Sequence, residues 1–388
     1  MKADTSVKWF HSDMAAAPVL RGQAGALIEI LDATLVNGFD VRVINSLVVA
    51  DGVATATISA GHAYLQHAVI ALSGATPAEL NDEWRIKSVA GNTFSFDCDL
   101  PDGTATGTIT VKMAPAGWAK VFAGANKAVY QSTDLAGTQL FLRVDDAGTT
   151  NVDVRGYEQM FDVDTGTGMF PASATTSNWP KHNSSSGGST PSPWSLIGDR
   201  RLFHYAPAWH TSAQWAGKAA IYRFGDAISY LDGDAYHCII ASMQAPAASN
   251  YPSAGLSTFY GLFGAAGGCW LARGAGQSGG VIDQGHRSAV EHAGGTGTGE
   301  SGRLLPIDGK MHYSPVFITD GRGTAVPLRG QVPGYYIAHE QSPVALPNFG
   351  IERISERLLM RVRVGSTTDT GSFVERRFVA FDIEGPWR

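Results

Sequence analysis

The chain has 388 residues, of which 44% are hydrophobic, 16% are charged and 46 are glycine. A charged share well below the usual ~25% excludes disorder driven by charge, and the length provides material for roughly two or three domains. The formal net charge of −6 gives no basic footprint for nucleic acid or anionic lipid, so we expect neither as a partner.

The clearest helix is predicted near the start of the chain, at residues 22–37. Apolar residues recur there on one face at the helical period of about 3.6 residues: Leu27, Ile28, Leu31 and Leu35. Gly38 follows as a natural C-terminal stop. We therefore interpret residues 1–45 as an N-terminal arm that carries this helix.

A small all-β module is predicted over residues 46–113. Short β-branched or aromatic runs recur at intervals of about ten residues, separated by turn signals such as Asp51-Gly52 and Gly91-Asn92. A compact sandwich or barrel is the natural closure for such a unit. Its predicted core consists of Val53, Ile58, Ile70, Trp84, Ile86, Phe94, Phe96, Ile109 and Val111.

A larger β-rich domain is predicted over residues 114–388. Alternating runs on both sides of residues 145–148 predict one hairpin, and Gly198-Asp199 predicts a second. The Ser/Gly-rich segment 183–193 is expected to be a flexible loop, and the role of the glycine-rich stretch 274–310 stays open. The fold class is mainly β: a small N-terminal sandwich or barrel preceded by one helix and followed by a larger β-rich domain with long Gly-rich loops.

Three cysteines, Cys98, Cys238 and Cys269, are too few and too odd in number for a disulfide framework. We interpret them as small hydrophobic residues of a reduced cell. The N-terminus lacks an apolar run of signal-peptide length, and prolines and glycines interrupt the charge-free stretch between Asp234 and Arg273. The sequence thus predicts a soluble protein made in a cytoplasm, without membrane insertion.

No motif names a reaction. Gly276 to Gly280 matches the G-x-S-x-G pattern of hydrolases, but no helix is predicted after it, so we interpret Ser278 as part of a glycine-rich loop. Two Asp-rich segments, 162–166 and 232–234, lack the closing glutamate of a calcium loop and are interpreted as ordinary turns. Because the histidines also lack metal-ligand spacing, we predict no catalytic residue, no metal site and no cofactor.

Aromatic residues offer another kind of site. Four tryptophans surround the Ser/Gly-rich segment: Trp179, Trp194, Trp209 and Trp215. Such residues pack in cores, anchor protein interfaces or provide platforms on which sugars stack, and the sequence leaves these three uses open. If they are exposed, they are the best residues in the chain for contact with a ligand or receptor.

Several short segments carry a family resemblance. They are Val7 to Met14, Val163 to Gly168 with Phe170-Pro171, Asp382 to Arg388, Gly61-His62, Ser73 to Pro77 and Ala105 to Thr110. The first three resemble tail-associated structural proteins, themselves uncharacterised, of tailed double-stranded DNA bacteriophages and prophages. The last three, all within residues 46–113, resemble small β-modules found in phage tail proteins. The resemblance is spread over most of the chain, and its motifs carry no chemistry.

The resemblance implies a structural component of the virion tail, in the baseplate, collar or fibre-attachment region, made in the cytoplasm of the host bacterium. It implies copies of the same chain and other tail proteins as partners, and no catalytic residues. Both chain ends combine aromatic and charged groups, so we expect four interface residues there: Trp9, Phe10, Trp387 and Arg388. The alternatives are a module that binds host-surface polysaccharide or protein at the tail tip, and an envelope-degrading hydrolase.

Overall fold

A computed structural model of the chain is mainly β, with 51% strand, one short α-helix and a large curled sheet. This confirms the fold class at that level. The structure describes residues 2–182, 187–208, 219–243, 267–277, 282–283, 285–288, 311–321, 326–338, 347–364 and 378–388. Within these residues, none of the helices has both the length and the hydropathy needed to cross a lipid bilayer.

The strands are numbered in chain order. Up to residue 113 they are β1 (Lys8–His11), β2 (Leu20–Gly22), β3 (Phe39–Val43), β4 (Ser46–Ala50), β5 (Val53–Thr57), β6 (Val69–Ser73), β7 (Glu83–Arg85), β8 (Ser88–Ala90), β9 (Thr93–Asp97), β10 (Gly103–Thr104) and β11 (Thr110–Met113). Those that follow, as far as the Ser/Gly-rich segment, are β12 (Trp118–Gly124), β13 (Lys127–Ser132), β14 (Phe141–Asp145), β15 (Asn151–Tyr157), β16 (Gln159–Met160), β17 (Gly166–Thr167), β18 (Asn178–Pro180) and β19 (Gly188–Ser192).

The remaining strands belong to the C-terminal half. They are β20 (Trp194–Gly198), β21 (Leu202–Pro207), β22 (Tyr222–Asp226), β23 (Ile228–Ser229), β24 (Cys238–Met243), β25 (Gly267–Leu271), β26 (Ile282–Asp283), β27 (Gly285–Ser288), β28 (Tyr313–Thr319), β29 (Leu328–Ala338), β30 (Ile351–Ile354), β31 (Arg357–Arg363) and β32 (Phe378–Asp382).

The predicted helix exists but is shorter than expected. Helix α1 (Ala26–Leu31) continues directly into a π-helical segment (Asp32–Asn37), and Gly38 ends it with a φ of 73°. The predicted apolar face is mostly correct, since Leu27, Leu31 and Leu35 are fully buried while Ile28 is half-buried. The first residues of the prediction are not helical, because Gly22 belongs to β2. A further short 3₁₀-helix spans Ala78–Leu80.

Residues 39–113 form two facing antiparallel sheets. One has the order β10-β4-β5-β9-β8, and the other has the order β3-β11-β6-β7. They pack face to face, with the rings of Trp84 and Phe96 stacked 4.8 Å apart. The predicted core is buried except for Val53, since β5 turns Ala54 and Ala56 inward instead. Strand β3 pairs with β11, so the pairing begins at residue 39 rather than 46.

The largest sheet curls back on itself. Its order is β1-β20-β21-β22-β24-β18-β15-β14-β13-β12, with β25 and β26 added beside β24. Both predicted hairpins are present, as the β14–β15 and β20–β21 pairs. At the free end of the sheet, Trp118 packs edge-on against Phe203 of β21 at 5.3 Å and donates a hydrogen bond of 2.9 Å to the carbonyl of Asp199. One edge of the sheet therefore touches its own interior strands.

A second large sheet packs against this curl. Its order is β27-β28-β29-β32-β31-β30, and β23 pairs with β29 at one side. The imidazole of His204 on the curled sheet lies 5.3 Å from the ring of Tyr335 and 5.0 Å from that of Phe381. Apolar residues of all these sheets join one continuous core. Cys98, Cys238 and Cys269 are buried and form no disulfide bond, as expected of small hydrophobic residues.

Part of the Ser/Gly-rich segment is ordered, which corrects the expectation of a flexible loop over 183–193. Strand β19 pairs with β2, in the register Gly188 opposite Gly22. A Cβ on Gly22 would lie 2.6 Å from the amide nitrogen of Gly188, so the pairing depends on the absence of a side chain there. Residues 183–186 lie outside the described part of the chain. Most of the stretch 274–310 does too, and its role stays open.

Candidate functional site

The two ends of the chain are buried inside it. Trp9 and Phe10 on β1 are 2% and 0% exposed, and the indole of Trp9 donates a hydrogen bond of 3.2 Å to the carbonyl of His67. Trp387 is 7% exposed and donates to the carbonyl of Asp382 at 2.9 Å. Such side chains have no surface left for a neighbouring subunit. The prediction that these three residues anchor other subunits is therefore wrong for this fold.

The fourth predicted interface residue, Arg388, also makes contacts within the chain. Its guanidinium donates to the carbonyl of Asp226 at 3.1 Å and lies 3.5 Å from the carboxylate of Asp199. About a fifth of the side chain stays exposed, at 19%. A role for Arg388 in contacts with other subunits remains a prediction.

A single arginine joins the chain ends to the small sheets. Arg85, at the end of β7, is 6% exposed. Its five N–H groups reach five backbone carbonyls, those of Asp4, Val7, His67, Ile383 and Glu384, at 2.7–3.2 Å. A guanidinium has five donors and no acceptor, so every donor is satisfied. We call the contact between the N-terminal residues, the small sheets and the C-terminal residues the seam.

The seam opens to solvent at a polar cleft of about 390 Å³. The residues before β1, strand β7, the turn after β13, the turn between β20 and β21, and residues 386–388 all contribute to its walls. This volume lies within the range of natural binding pockets. The cleft is therefore the candidate functional site, because segments from distant parts of the sequence converge there.

Most charged side chains in the cleft are already paired. The pairs are Lys8 with Glu83 at 2.7 Å, Arg201 with Asp134 at 2.7 Å, and Arg388 with Asp199 at 3.5 Å. Burial lowers the pKa of Lys8, and the hydrogen bond from Arg201 holds the pKa of Asp134 below its usual value. These carboxylates are committed to structural ion pairs.

Arg200 is the exception at this cleft. Its side chain is exposed, and it forms no hydrogen bond or ion pair with any residue that the structure describes. The aliphatic part of the side chain lies against Gly117, where a Cβ would come within 2.8 Å of the arginine Cγ. An unpaired guanidinium held at the edge of a cleft can bind a carboxylate through two parallel hydrogen bonds.

An exposed leucine also lies next in sequence to a residue of this cleft. Leu135 follows Asp134, which lines the same cleft, and it is 86% exposed, more than any other large hydrophobic residue in the described part of the chain. Together, Leu135 and Arg200 give the edge of the cleft an apolar group and a cation. We call these two residues the rim patch.

Two of the four tryptophans considered for ligand contact are buried in the core. Trp179 is 0% exposed and donates to the carbonyl of Ala241 at 2.9 Å, and Trp194 is 1% exposed and donates to the carbonyl of Pro18 at 2.9 Å. These two cannot stack on a ligand, so for them the ligand-contact prediction is wrong and core packing is the actual use. Trp209 and Trp215 lie outside the described residues.

The remaining motifs have structural explanations where they can be seen. The Asp162 carboxylate accepts hydrogen bonds from the backbone of Asp164 and Thr165, as expected of an ordinary turn. Asp234 does more than form a turn, because it pairs with the buried guanidinium of Arg329 at 2.8 Å. Ser278 of the hydrolase-like pattern lies outside the described residues, so its catalytic role is not addressed.

Sequence reasoning missed the residues that build this site. Arg85 sits in a predicted strand like any other surface arginine, and no local signal marks it. The paired arginines Arg200-Arg201 in a predicted hairpin turn, and a leucine within the polar segment Thr133 to Thr138, are the only signals that could have pointed to the rim. Among the described residues, no group of three or more His, Cys, Asp or Glu side chains is arranged to hold a metal ion.

No protein-family model matches this chain, and no curated protein matches it.

Proposed function

We propose that this chain is a non-catalytic structural component of a bacteriophage virion tail, in the baseplate, collar or fibre-attachment region. In this proposal it acts by packing against copies of itself and other tail proteins, and it uses no cofactor. The observation that supports the proposal is the combination of a braced interior with a rim patch that is exposed and unpaired.

The interior is suited to a load-bearing subunit. The seam fixes both chain ends to the small sheets through one saturated guanidinium, and the curled sheet contacts its own free edge through Trp118. Such cross-linking by contacts distant in sequence holds the sheets in one arrangement. A subunit that acts by packing requires such a fixed arrangement, because neighbouring subunits bind to the shape of its surface.

The finer organisation of the fold is also proposed. We assign the two facing sheets of residues 39–113 to a small sandwich module, preceded by the helix and followed by a larger β-rich domain. The short segments that resemble phage tail proteins fall in both parts. Host-surface binding through the tryptophans is the weaker proposal, because Trp179 and Trp194 are in the core.

The test is to locate the chain in particles. Virions or tail-like particles are purified from the bacterium that carries the gene, and an antibody to the chain is imaged on them by electron microscopy. We expect labelling confined to the tail and co-purification of the chain with intact particles. Recovery of the chain only in the soluble lysate, with unlabelled particles, would contradict the proposal.

The non-catalytic part has its own assay. The purified chain is incubated with peptidoglycan and with host polysaccharide, and released fragments are measured by chromatography. We expect no release above that of heat-denatured protein. Fragment release that is lost in Ser278→Ala would instead support a hydrolase.

A further inference from the structure

A second exposed apolar cluster lies at the turn that follows β23. Tyr230 is 51% exposed, Leu231 is 40% exposed, and the nearby Leu328 at the start of β29 is 53% exposed. Asp232, which follows Leu231, is exposed and forms no ion pair with any described residue. We call these four residues the tip patch. It combines apolar groups with an anion, whereas the rim patch combines an apolar group with a cation.

Both patches are held rigidly. At the rim, the carbonyl of Asp134 accepts hydrogen bonds from Gly137 at 2.9 Å and from the side chain of Gln139 at 2.6 Å, and the Asp226 carboxylate accepts the amide of Thr138 at 2.8 Å. Leu135 therefore projects from a fixed turn. A turn whose backbone is already ordered loses little backbone conformational entropy when its exposed side chain is bound.

The tip is braced by a buried ion pair. The guanidinium of Arg329 donates two hydrogen bonds of 2.8 Å to the carboxylate of Asp234, and the pair is almost fully buried. The amide of Tyr230 donates to the carbonyl of Arg329 at 2.8 Å, and the amide of Asp234 donates to the carbonyl of Leu231 at 3.3 Å. The tip patch is therefore presented on a stiff support.

We propose that the rim patch of one copy binds the tip patch of a second copy of this chain. Arg200 pairs with Asp232 of the other copy, and Leu135 packs against its Tyr230 and Leu231. The opposite charges select this partner, because each patch carries beside its exposed apolar area one charge that forms no ion pair with a described residue. This inference rests on the proposed function, since it names the surfaces through which copies of the chain would pack.

The two patches are different, which limits the possible assemblies. A contact between unlike patches is either made twice in a two-fold dimer or repeated head to tail, which closes into a ring or continues as a fibre. Burial of the exposed leucines and tyrosine supplies affinity, and the charge pair fixes the register.

The test is a charge exchange followed by sedimentation velocity over a range of concentrations. We expect the full-length chain to self-associate. Arg200→Glu and Asp232→Arg should each weaken association at least about tenfold, because each places like charges opposite one another. The double variant should recover association to within a few-fold of the original. Glu79→Arg, which reverses an exposed acid outside both patches, is the matched control and should leave association unchanged.

Three results would overturn the inference: a monomer at every concentration, association unaffected by Arg200→Glu, or a double variant no better than the single ones. Circular dichroism and thermal melting confirm that each variant is folded. If the chain is found in virion tails while Arg200→Glu associates normally, the proposed function stands and this choice of surfaces fails. If the charge exchange behaves as expected but the chain is absent from particles, the surfaces stand and the virion role fails.

Discussion

Two arginines at the same junction show opposite uses of one side chain. Arg85 is 6% exposed, and its five N–H groups all reach backbone carbonyls. Arg200 is exposed and reaches no hydrogen-bond acceptor among the described residues. Burying a cation without partners costs several kcal/mol, so the interior arginine must be saturated, while water satisfies the exposed one. The seam is complete, and the rim is open to a partner.

The largest expected effect concerns Arg85, the buried arginine of this comparison. Arg85→Ala should lower the free energy of unfolding by at least about 4 kcal/mol, because it leaves five carbonyls in the seam without their charged donor. Urea unfolding followed by tryptophan fluorescence measures this. Arg200→Ala is the matched control. Equal losses of stability in the two variants would show that the hydrogen bonds of Arg85 do not hold the seam together.

A second prediction compares how much a buried ion pair and a partly exposed ion pair contribute to the free energy of unfolding. Lys181 and Asp146 form a fully buried ion pair, whereas Lys120 and Asp32 form a partly exposed one. Lys181→Ala should lower the free energy of unfolding by about 3–5 kcal/mol, because it leaves the buried carboxylate of Asp146 without its ion-pair partner. Lys120→Ala should cost no more than about 1 kcal/mol. Urea titrations of both variants make the comparison, and similar losses would contradict it.

A third prediction uses pH to probe the interior. His204 is completely buried, and burial lowers its pKa well below the usual value for histidine. The unfolded chain therefore binds a proton as the pH drops below about 6.5, whereas the folded chain keeps His204 neutral, so stability falls with the pH. If His204 stays neutral in the folded chain down to pH 5, the loss from this group reaches a limit of about 2 kcal/mol there.

The His204→Gln variant isolates that contribution, since glutamine stays neutral. Other buried histidines titrate in both proteins, so the relevant quantity is the difference between them. Urea unfolding at pH 8, 6.5 and 5 should show a shallower decline in the free energy of unfolding for the variant, by up to about 2 kcal/mol at the lowest pH. Parallel pH profiles would mean that His204 is protonated in the folded chain.

The smallest expected effect concerns the exposed rim patch. Leu135→Ser and Arg200→Ala should each change the free energy of unfolding by less than about 0.5 kcal/mol, because neither side chain is packed into the core. Thermal melting of the dilute protein measures this. A larger loss in either variant would show that the rim patch stabilises the fold, and would remove it as a surface free for binding.

Features that depend on neighbours in sequence were predictable. The β14–β15 and β20–β21 hairpins follow from alternating runs on both sides of a turn, and the pattern of residues 46–113 identified a core that includes Ile58 and Phe94. The helix was placed correctly at its C-terminal end, because Gly38 supplies a positive φ there. Local periodicity and turn chemistry carry this information directly.

Features that depend on distant residues were not predictable. Strand β1 is buried along its whole length, so it has no alternation to mark it. Trp179 and Trp194 are large and apolar with one polar group, and sequence cannot tell whether such a ring faces the core or a ligand. Arg85 binds a carbonyl 298 residues away, at Ile383. A single sequence contains no sign of such a contact.

The hydrogen bonds of Arg85 also depend on the order in which the chain is synthesised. A ribosome adds about 5–20 residues per second, so the carbonyls of Ile383 and Glu384 are made about 15–60 s after Arg85. Throughout that interval the guanidinium of Arg85 lacks two of its five carbonyl acceptors, and water must solvate the corresponding N–H groups. A polypeptide that ends before residue 383 therefore lacks two of the hydrogen bonds that join the C-terminal residues to the small sheets.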